Sequence, residues 1–384
     1  MIFEKNRNDN FNILFLLMIW LYLKIKYNRG LIIESIKGEK IFLDPELSST
    51  PIKNPTLVTH AHSDHTAAVS GGSTTYLTKI TKDLIDQSSK RKTKNFEYVE
   101  LNESFEIGNF EVEYINAGHL LGAAQIIVRE GNETMLYTGD FCPEDLYTIN
   151  GADLPMDEID ALFVDSTYGD ELIHFDDRGL SREKLFVWIM NELKKGKIPM
   201  INVGNLGGAQ ELISYMNKLA PNLPIFVLDK ISKINQVFQK YGVKLNYSTF
   251  NENFNFDNKK CIIIVPRGFK DVNRIIKTMK ISKNKIIRCI ITGQSAKYRF
   301  SSFDFTSTLS THANFDELIS FISEIKPKYI GTMFGYHEKF ARNLKNDFNL
   351  NAVSCTNMEY IDLKNNKMRF KEIGNQYNLE KYLD

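Results

Sequence analysis

The sequence predicts an α/β protein in which short apolar strands deliver polar loops to one edge of a sheet. Six of the seven histidines lie in short loops that follow strongly apolar runs, and acidic residues share those loops. After about residue 172, apolar strands alternate with amphipathic helices, which is typical of a parallel α/β layer. The chain has 384 residues, 43% of them hydrophobic, which is enough for two domains or for one domain with a large insertion.

The first part of the chain consists of strands that end at His or Asp. We predict a hairpin over 31–34 and 40–44, and a buried strand over 56–59. Further strands are predicted over 110–115, 125–129, 133–137 and 161–164. Gly, Thr or Ser stands beside the His or Asp that follows each strand, and such small residues let the backbone bend sharply and approach an ion closely.

The middle part of the chain has a different character. We predict a helix over 181–195, with Ser181 as its N-cap and Gly196 as its stop. Strands over 200–203, 225–228, 261–265 and 286–292 alternate with helices over 209–219 and 233–241. Since no histidine falls between 175 and 311, we interpret this block as an inserted domain that shapes a cleft.

The last part of the chain again contains apolar elements flanked by histidines. A helix over 315–325, with Asn314 as its N-cap, precedes a strand over 329–333. A hairpin is predicted around 364–366, and the tail from residue 346 is a candidate for homodimer contacts.

Charge and cysteine content give no sign of a specialised compartment or partner. The formal net charge is +1, so no global basic field indicates nucleic acid, although a local basic groove is compatible with a neutral total. The four cysteines are scattered, which predicts reduced thiols in a cytoplasmic protein.

The N-terminal segment 1–30 contains an apolar run at 13–23. This run is shorter than the roughly 20 residues that a spanning helix needs. We interpret the segment as a terminal helix or as the result of a start codon placed too early, with Met18 as the true start. A membrane anchor is the alternative.

The densest cluster of candidate ligands follows the strand predicted over 56–59. It comprises His60, His62, Asp64 and His65, three imidazoles and a carboxylate within six residues. Neutral imidazole and carboxylate are the ligands that zinc prefers in hydrolytic sites. The pattern therefore indicates a metal-dependent hydrolase.

The ordered motifs of residues 31–345 resemble those of the β-CASP nucleases of the metallo-β-lactamase superfamily. The motifs are H-x-H-x-D-H at 60–65, Gly118-His119, Thr138-Gly139-Asp140, Asp165-Ser166-Thr167-Tyr168-Gly169, Ser310-Thr311-His312-Ala313 and His337-Glu338. The helix start Gly207-Gly208-Ala209-Gln210-Glu211-Leu212 also resembles the family, with Gly208 where an arginine is common. The resemblance implies a metallo-β-lactamase αββα sandwich, formed by 31–171 and 306–384, with an inserted α/β β-CASP cap domain at 172–305.

The resemblance also implies two Zn²⁺ ions and no organic cofactor. One ion would be held by His60, His62 and His119, the other by Asp64, His65 and His337, with Asp140 bridging both. Asp44 would orient the H-x-H loop. The catalytic residues would be Asp64, His312 as the proton donor to the leaving group, and Asp165 as its acidic partner. His337 lies in Gly-Tyr-His-Glu where the family reads Val-His-Gly-Glu, so alignment on His-Glu shifts the glycine.

Four functions are compatible with this pattern. The first is an RNA nuclease, an endonuclease or 5′-exonuclease that uses a hydroxide activated by two metal ions, since in this family a histidine at the last motif accompanies RNA processing. The second is a DNA exonuclease of the same fold. The third is a small-molecule metallohydrolase, against which the inserted domain argues, because a cap forms a narrow cleft suited to a single strand. A catalytically silent binding subunit is the fourth, but no predicted ligand is missing.

Overall fold

A computed structural model describes residues 23–46, 53–90, 94–173, 175–250, 260–363 and 365–371. The apolar run before residue 23 and His174 lie outside the described residues. Within those ranges, no helix combines the length and the apolar character that crossing a membrane requires.

The structure contains strands in three sheets and helices packed on them. The strands are β1 Lys24–Tyr27, β2 Leu31–Glu34, β3 Lys40–Leu43, β4 Thr56–Leu57, β5 Thr75–Thr78, β6 Phe96–Val99, β7 Ser104–Ile107, β8 Phe110–Asn116, β9 Ala124–Glu130, β10 Glu133–Tyr137, β11 Ala161–Asp165, β12 Ile198–Val203, β13 Ile225–Leu228, β14 Ser248–Phe250, β15 Ile262–Pro266, β16 Ile286–Ile291, β17 Phe305–Ser307, β18 Tyr329–Met333, β19 Ala352–Ser354, β20 Met358–Asp362 and β21 Lys367–Phe370. The helices are α1 Lys79–Ser88, α2 Arg178–Lys194, α3 Gly208–Leu219, α4 Asp229–Lys240, α5 Val272–Met279, α6 Phe315–Ile325 and α7 His337–Asn346.

Two of the sheets form a sandwich. The eight-stranded sheet has the order β21-β20-β1-β2-β3-β4-β5-β6, and the seven-stranded sheet has the order β19-β18-β11-β10-β9-β8-β7. Alternate residues of β2, Leu31 and Ile33, are fully buried in one apolar cluster with Tyr114 and Tyr137 of the other sheet. This burial of every second residue follows from the period of two in a strand, and it seals the two sheets face to face.

The third sheet is the parallel layer that the sequence predicted. Its order is β14-β13-β15-β12-β16-β17, and every pair of neighbours is parallel. The predicted hairpins β2–β3 and β20–β21 are also present as antiparallel pairs, and the strands predicted over 125–129 and 133–137 form the antiparallel pair β9–β10. The α/β fold class is confirmed, because a two-sheet sandwich carries an additional α/β layer inserted between β11 and α6.

Several element boundaries differ from the prediction. Helix α2 begins at Arg178, because the Asp177 side chain accepts a hydrogen bond from the Leu180 N–H at 2.9 Å and caps the helix ahead of Ser181. Strand β4 ends at Leu57, and the Thr59 N–H donates to Asp44 instead of to a neighbouring strand. Helix α4 begins at Asp229, four residues before its predicted start.

The N-terminal end of the described chain also differs from expectation. Strand β1 pairs with β2 and β20 inside the eight-stranded sheet, although these residues were assigned to a separate terminal segment. The side chains of Leu23 and Ile25 are fully buried in the sandwich core. Hydrophobic burial therefore makes this part of the segment a component of the sheet.

Candidate metal centre

The candidate site lies where parallel strands of the seven-stranded sheet end. Strands β10, β11 and β18 are parallel neighbours, so their carboxyl ends meet at one edge. Asp140 follows β10, Asp165 ends β11, and Phe334 follows β18. This topology brings residues together that are far apart in the chain.

Two glycines allow the loops of the site to turn. Gly118 has φ +67° and Gly139 has φ +54°, a region that other residues rarely adopt. A Cβ on Gly118 would lie 2.2 Å from the Cys142 carbonyl oxygen, and one on Gly139 would lie 2.8 Å from the Thr59 side chain. Each glycine directly precedes a candidate ligand and fixes its direction.

Three imidazole nitrogens and one carboxylate oxygen converge on a single point. His62 Nδ1 lies 3.1 Å from His60 Nε2 and 3.2 Å from His119 Nε2. Asp140 Oδ2 lies 3.4 Å from His60 Nε2 and 3.6 Å from His119 Nε2. All four ligand atoms lie within 4.8 Å of one another, so the group could hold a divalent metal ion.

In His62 and His119, the hydrogen bond of the outer ring nitrogen determines whether the inward-facing ring nitrogen carries a proton. His119 Nδ1 donates to the Thr311 carbonyl oxygen at 2.8 Å, and His62 Nε2 donates to the Leu206 carbonyl oxygen at 3.3 Å. A carbonyl oxygen only accepts, so in each neutral ring the other nitrogen carries a lone pair. The inward-facing nitrogens are therefore in the form that binds a metal.

Asp44 organises the next layer of contacts. Its carboxylate accepts hydrogen bonds from the Thr59 N–H at 2.9 Å, the Thr59 hydroxyl at 2.6 Å, His65 Nδ1 at 2.7 Å and the Tyr137 hydroxyl at 3.0 Å. The Thr59 hydroxyl oxygen lies 2.9 Å from His60 Nδ1. A single buried carboxylate thus contacts His65 directly and reaches His60 through the Thr59 hydroxyl.

A second, looser group surrounds His65. His65 Nε2 lies 3.3 Å from Asp140 Oδ1 and 3.9 Å from Asp64 Oδ2. This nitrogen is buried and makes no hydrogen bond of acceptable geometry within the described ranges. The side chain of Asp64 is 73% exposed and lines the cleft.

His312 and Asp165 form a pair beside the convergent group. His312 Nδ1 lies 2.9 Å from Asp165 Oδ2, and His312 Nε2 lies 3.9 Å from Asp140 Oδ2. The His312 and His119 rings have centroids 4.5 Å apart. One nitrogen is therefore held by Asp165, while the other faces the candidate metal centre.

The protonation states of His60, His119 and Asp140 match those of a metal site. Burial lowers the pKa of His60 to about 4, and the charge of His65 adds to this effect. Burial and the charge of His312 lower the pKa of His119 well below its usual value. Burial alone would raise the pKa of Asp140, but the charges of His65 and His312 hold it well below its usual range. Neutral imidazoles around an ionised carboxylate are the ligand forms that metal binding requires.

The pKa values of His65 and His312 move in the opposite direction. Burial alone would lower both, but neighbouring carboxylates outweigh it. Asp140 and Asp44 raise the pKa of His65 well above its usual value, and Asp140 and Asp165 raise that of His312. The surplus of negative charge in this buried region favours a cation.

The structure does not bring His337 into either group. His337 begins α7, and its Nδ1 lies 2.8 Å from the Ser354 hydroxyl oxygen. The residue that follows β18 at the site is Phe334, whose ring centroid lies 5.0 Å from that of His65. Phe334 and Gly335 have φ of +64° and +47°, so the backbone reverses direction there. Helix α7 therefore begins beyond the cluster.

Several residues of the site were not identified from the sequence. Leu206 and Thr311 contribute backbone carbonyl oxygens, for which no side-chain pattern exists. Arg178 is buried and donates to the His312 carbonyl oxygen at 2.8 Å while also binding Glu317. This arginine ties the first turn of α2 to the His312 loop, and its only sequence signal was its position after the Asp177 cap.

A cleft of about 750 Å³ opens over the clustered residues. Its walls include His62, Asp64, Asp140 and His312 from the sandwich and Lys230 and Arg267 from the inserted layer. No carboxylate lies within 4.0 Å of the side-chain nitrogens of Lys230 or Arg267 in the described part of the chain. The cleft therefore combines a candidate metal centre with two cations that form no ion pair with any described residue.

Fold and site together define a metallo-β-lactamase-type protein, since strand-end His and Asp residues of a two-sheet sandwich face a cleft closed by an inserted α/β layer. Models of known protein families give no match to the chain. Curated proteins that are similar to parts of the chain carry more specific names.

Three relatives carry informative names. An RNase J-like protein of Methanocaldococcus jannaschii is 26% identical over 280 residues, which are 63% of this chain and 66% of that protein. Cleavage and polyadenylation specificity factor subunit 3 of Dictyostelium discoideum is 30% identical over 50% of this chain and 29% of that protein. A probable DNA ligase of Opitutus terrae is 22% identical over 75% of this chain and 27% of that protein. The RNase J-like protein and the polyadenylation-factor subunit are members of the β-CASP family of the metallo-β-lactamase superfamily, and this chain is similar to them. It spans less than two thirds of the length of each of these three relatives.

A solved structure supports the fold alone. A crystal structure of an Enterococcus faecalis protein of unknown function matches with a TM-score of 0.56 at 13% sequence identity. The match covers 83% of this chain and 95% of the other.

Proposed function

We propose that this protein is a metal-dependent nuclease that hydrolyses phosphodiester bonds of RNA, as an endonuclease, a 5′-exonuclease or both. The observation that carries this proposal is the meeting of a His/Asp cluster and the His312–Asp165 pair in one cleft. The names of the RNase J-like and polyadenylation-factor relatives support RNA as the substrate.

The donor set fits two zinc ions. His60, His62 and His119 would hold one ion, Asp64 and His65 would hold the other, and Asp140 would be shared, because its Oδ2 faces the first group and its Oδ1 faces His65. The lone pairs turned inward and the unbonded His65 Nε2 support this assignment. When bound, such a pair of ions supplies an activated water and neutralises the phosphoryl oxygens.

His312 provides the proton that the leaving oxygen needs. Asp165 accepts from Nδ1–H and fixes the ring, so Nε2 is the atom turned to the cleft. The carboxylates raise the pKa of His312, so the ring is more often protonated near neutral pH than a free histidine. A protonated imidazole is a suitable general acid for an alkoxide leaving group, and this catalysis contributes about 10²- to 10⁴-fold.

The inserted layer supplies the cations that a phosphate backbone needs. Lys230 and Arg267 line the same cleft as the cluster and have no ion-pair partner in the described ranges. A concave site with cations on one wall and catalytic side chains on the other suits a single strand better than a duplex. A local basic wall is compatible with the net charge of +1.

A DNA exonuclease is the second candidate. The position of His337 outside the cluster removes the feature that favoured RNA in the sequence, and the probable DNA ligase relative matches a larger share of the chain than the other two. A homodimer formed through the tail from residue 346 stays a prediction.

The test is a cleavage assay with purified protein loaded with Zn²⁺. Single-stranded RNA and DNA of one sequence, labelled at the 5′ end or internally, are offered in parallel. We expect cleavage of RNA, with Asp140→Asn losing metal and activity together and His312→Ala losing activity but keeping metal. If metal-loaded protein cuts neither polymer, the nuclease proposal fails, and if it cuts only DNA, the second candidate replaces the first.

A further inference from the structure

The two halves of the candidate metal centre are unequal. On one side, three imidazole nitrogens and Asp140 Oδ2 all lie within 4.8 Å of one another. On the other side, Asp64 and Asp140 do not join His65 in any group that compact within the described ranges. One position therefore has four preassembled donors, while the other has a histidine, one face of a shared carboxylate and a distant aspartate.

The phenyl ring of Phe334 lies beside His65, on the side where a further metal ligand would complete the second metal position. The Phe334 ring lies against His65, with centroids 5.0 Å apart and planes at 55°, and it also lines the cleft. The His60 ring packs on another side of the His65 ring, with centroids 4.1 Å apart. His65 Nδ1 donates a hydrogen bond to Asp44. Among the described residues, the carboxylates within 4.0 Å of the remaining His65 nitrogen, Nε2, are Asp140 and Asp64.

Asp64 cannot readily compensate for the missing donor. Its side chain is 73% exposed, and its Oδ2 lies 3.9 Å from His65 Nε2. An exposed carboxylate must give up water and side-chain freedom to hold an ion. By contrast, outer hydrogen bonds fix the imidazoles of His119, which is buried, and of His62, which is partly exposed, before any ion binds.

We propose that the protein holds one divalent ion tightly, at His60, His62, His119 and Asp140, and a second ion much more weakly, at His65, Asp64 and Asp140. The Phe334 side chain sets this difference, because it occupies the place of a fourth protein donor. His337, although predicted as a ligand, contributes to neither position. This inference rests on the two-ion reading of the proposed function and specifies which ion is exchangeable.

Phe334 is also a position where the missing donor can be restored. Its φ of +64° lies in the left-handed region, where histidine is enriched several-fold among non-glycine residues. An imidazole in place of the phenyl ring would lie next to His65 and would add a nitrogen to the second position. The substitution Phe334→His therefore tests the inference by gain rather than by loss.

The experiment is a titration of chelator-stripped protein with Zn²⁺ against a chromophoric competitor, with native mass spectrometry to count bound ions. For the wild-type protein we expect one ion bound at least tenfold more tightly than the second. Phe334→His should tighten the second ion about tenfold or more and leave the first unchanged. Phe334→Leu, which adds no donor, is the matched control and should leave the second ion weak, and His337→Ala should leave both ions unchanged.

The outcomes separate this inference from the proposed function. Two ions of equal affinity in the wild-type protein, or the loss of one ion in His337→Ala, would overturn the inference and leave the nuclease proposal intact. Binding of no ion by folded wild-type protein would refute the metal site itself. Circular-dichroism melting of each metal-free variant establishes that it is folded. If folded Phe334→His and folded Phe334→Leu bind the second ion with equal affinity, the role of Phe334 is also contradicted.

Discussion

Asp44→Asn tests whether one buried carboxylate orients two of the candidate ligands. Asp44 Oδ2 accepts from the Thr59 hydroxyl, His65 Nδ1 and the Tyr137 hydroxyl, and Oδ1 accepts from the Thr59 N–H. An asparagine must place an NH₂ group at one of these ends. If it replaces Oδ2, it faces His65 Nδ1–H, and if it replaces Oδ1, it faces the buried Thr59 N–H.

Either orientation of the asparagine amide lowers the free energy of unfolding by an amount that can be estimated. A buried donor left without an acceptor costs about 1–3 kcal/mol, so the free energy of unfolding of the metal-free protein should fall by about that amount. Where His65 responds by moving its proton to Nε2, that nitrogen loses the lone pair that faces Asp140. Loss of such an orienting partner lowers metal affinity by about 10- to 100-fold.

The assay compares metal-free and metal-loaded protein. Chemical denaturation in the presence of a chelator gives the free energy of unfolding without the contribution of bound metal. Competitive Zn²⁺ titration gives the affinities. Tyr137→Phe is the control, because it removes one neutral donor from Asp44, should cost about 1 kcal/mol and should leave the metal affinity unchanged. Wild-type affinity and stability in Asp44→Asn would refute the orienting role.

Three further predictions concern residues around the site. Arg178→Lys should lower kcat about tenfold with unchanged metal content, because an ammonium cannot bind Glu317 and the His312 carbonyl oxygen in the same fork; an unchanged kcat would argue against this positioning role. Gly118→Ala should destabilise the protein by about 1–3 kcal/mol, since φ is +67° and the Cβ would lie 2.2 Å from a carbonyl oxygen; denaturant melting that coincides with wild type would contradict it. Burial would raise the pKa of Asp170, but Lys339, the Leu172 N–H and Lys297 together lower it to about 2. The stability that Asp170 gives relative to Asp170→Asn, about 1 kcal/mol, should thus be present above pH ~4 and vanish as the pH falls to ~2, and a difference constant over this range would disprove the ion pairing.

The local architecture was predictable because it depends on short-range patterns. Two short apolar runs on either side of Lys37-Gly38-Glu39 predicted the hairpin of β2 and β3, and the Asn314 cap predicted the start of α6, which the structure places at Phe315. The proximity of His60, His62 and His65 was predictable for the same reason, since they lie within one six-residue loop, whereas the exposed position of Asp64 was not. The boundary of α2 was missed because Asp177 and Ser181 are both good caps, and only the surrounding contacts choose between them.

The sequence by itself determined the class of fold, the parallel order of the third sheet and which candidate ligands share one loop, because strand and helix periodicity and residue spacing are properties of neighbouring residues. Tertiary structure alone decided which distant groups meet. The Leu206 and Thr311 carbonyl oxygens that fix His62 and His119 have no side-chain signature. The choice between Phe334 and His337 depends on a backbone reversal of two residues with positive φ, which turns the phenyl ring toward His65 and moves the imidazole away. Phe334 and His337 are only three residues apart in the sequence. Because the chain turns where β18 ends, the Phe334 side chain lines the cleft and the His337 side chain does not.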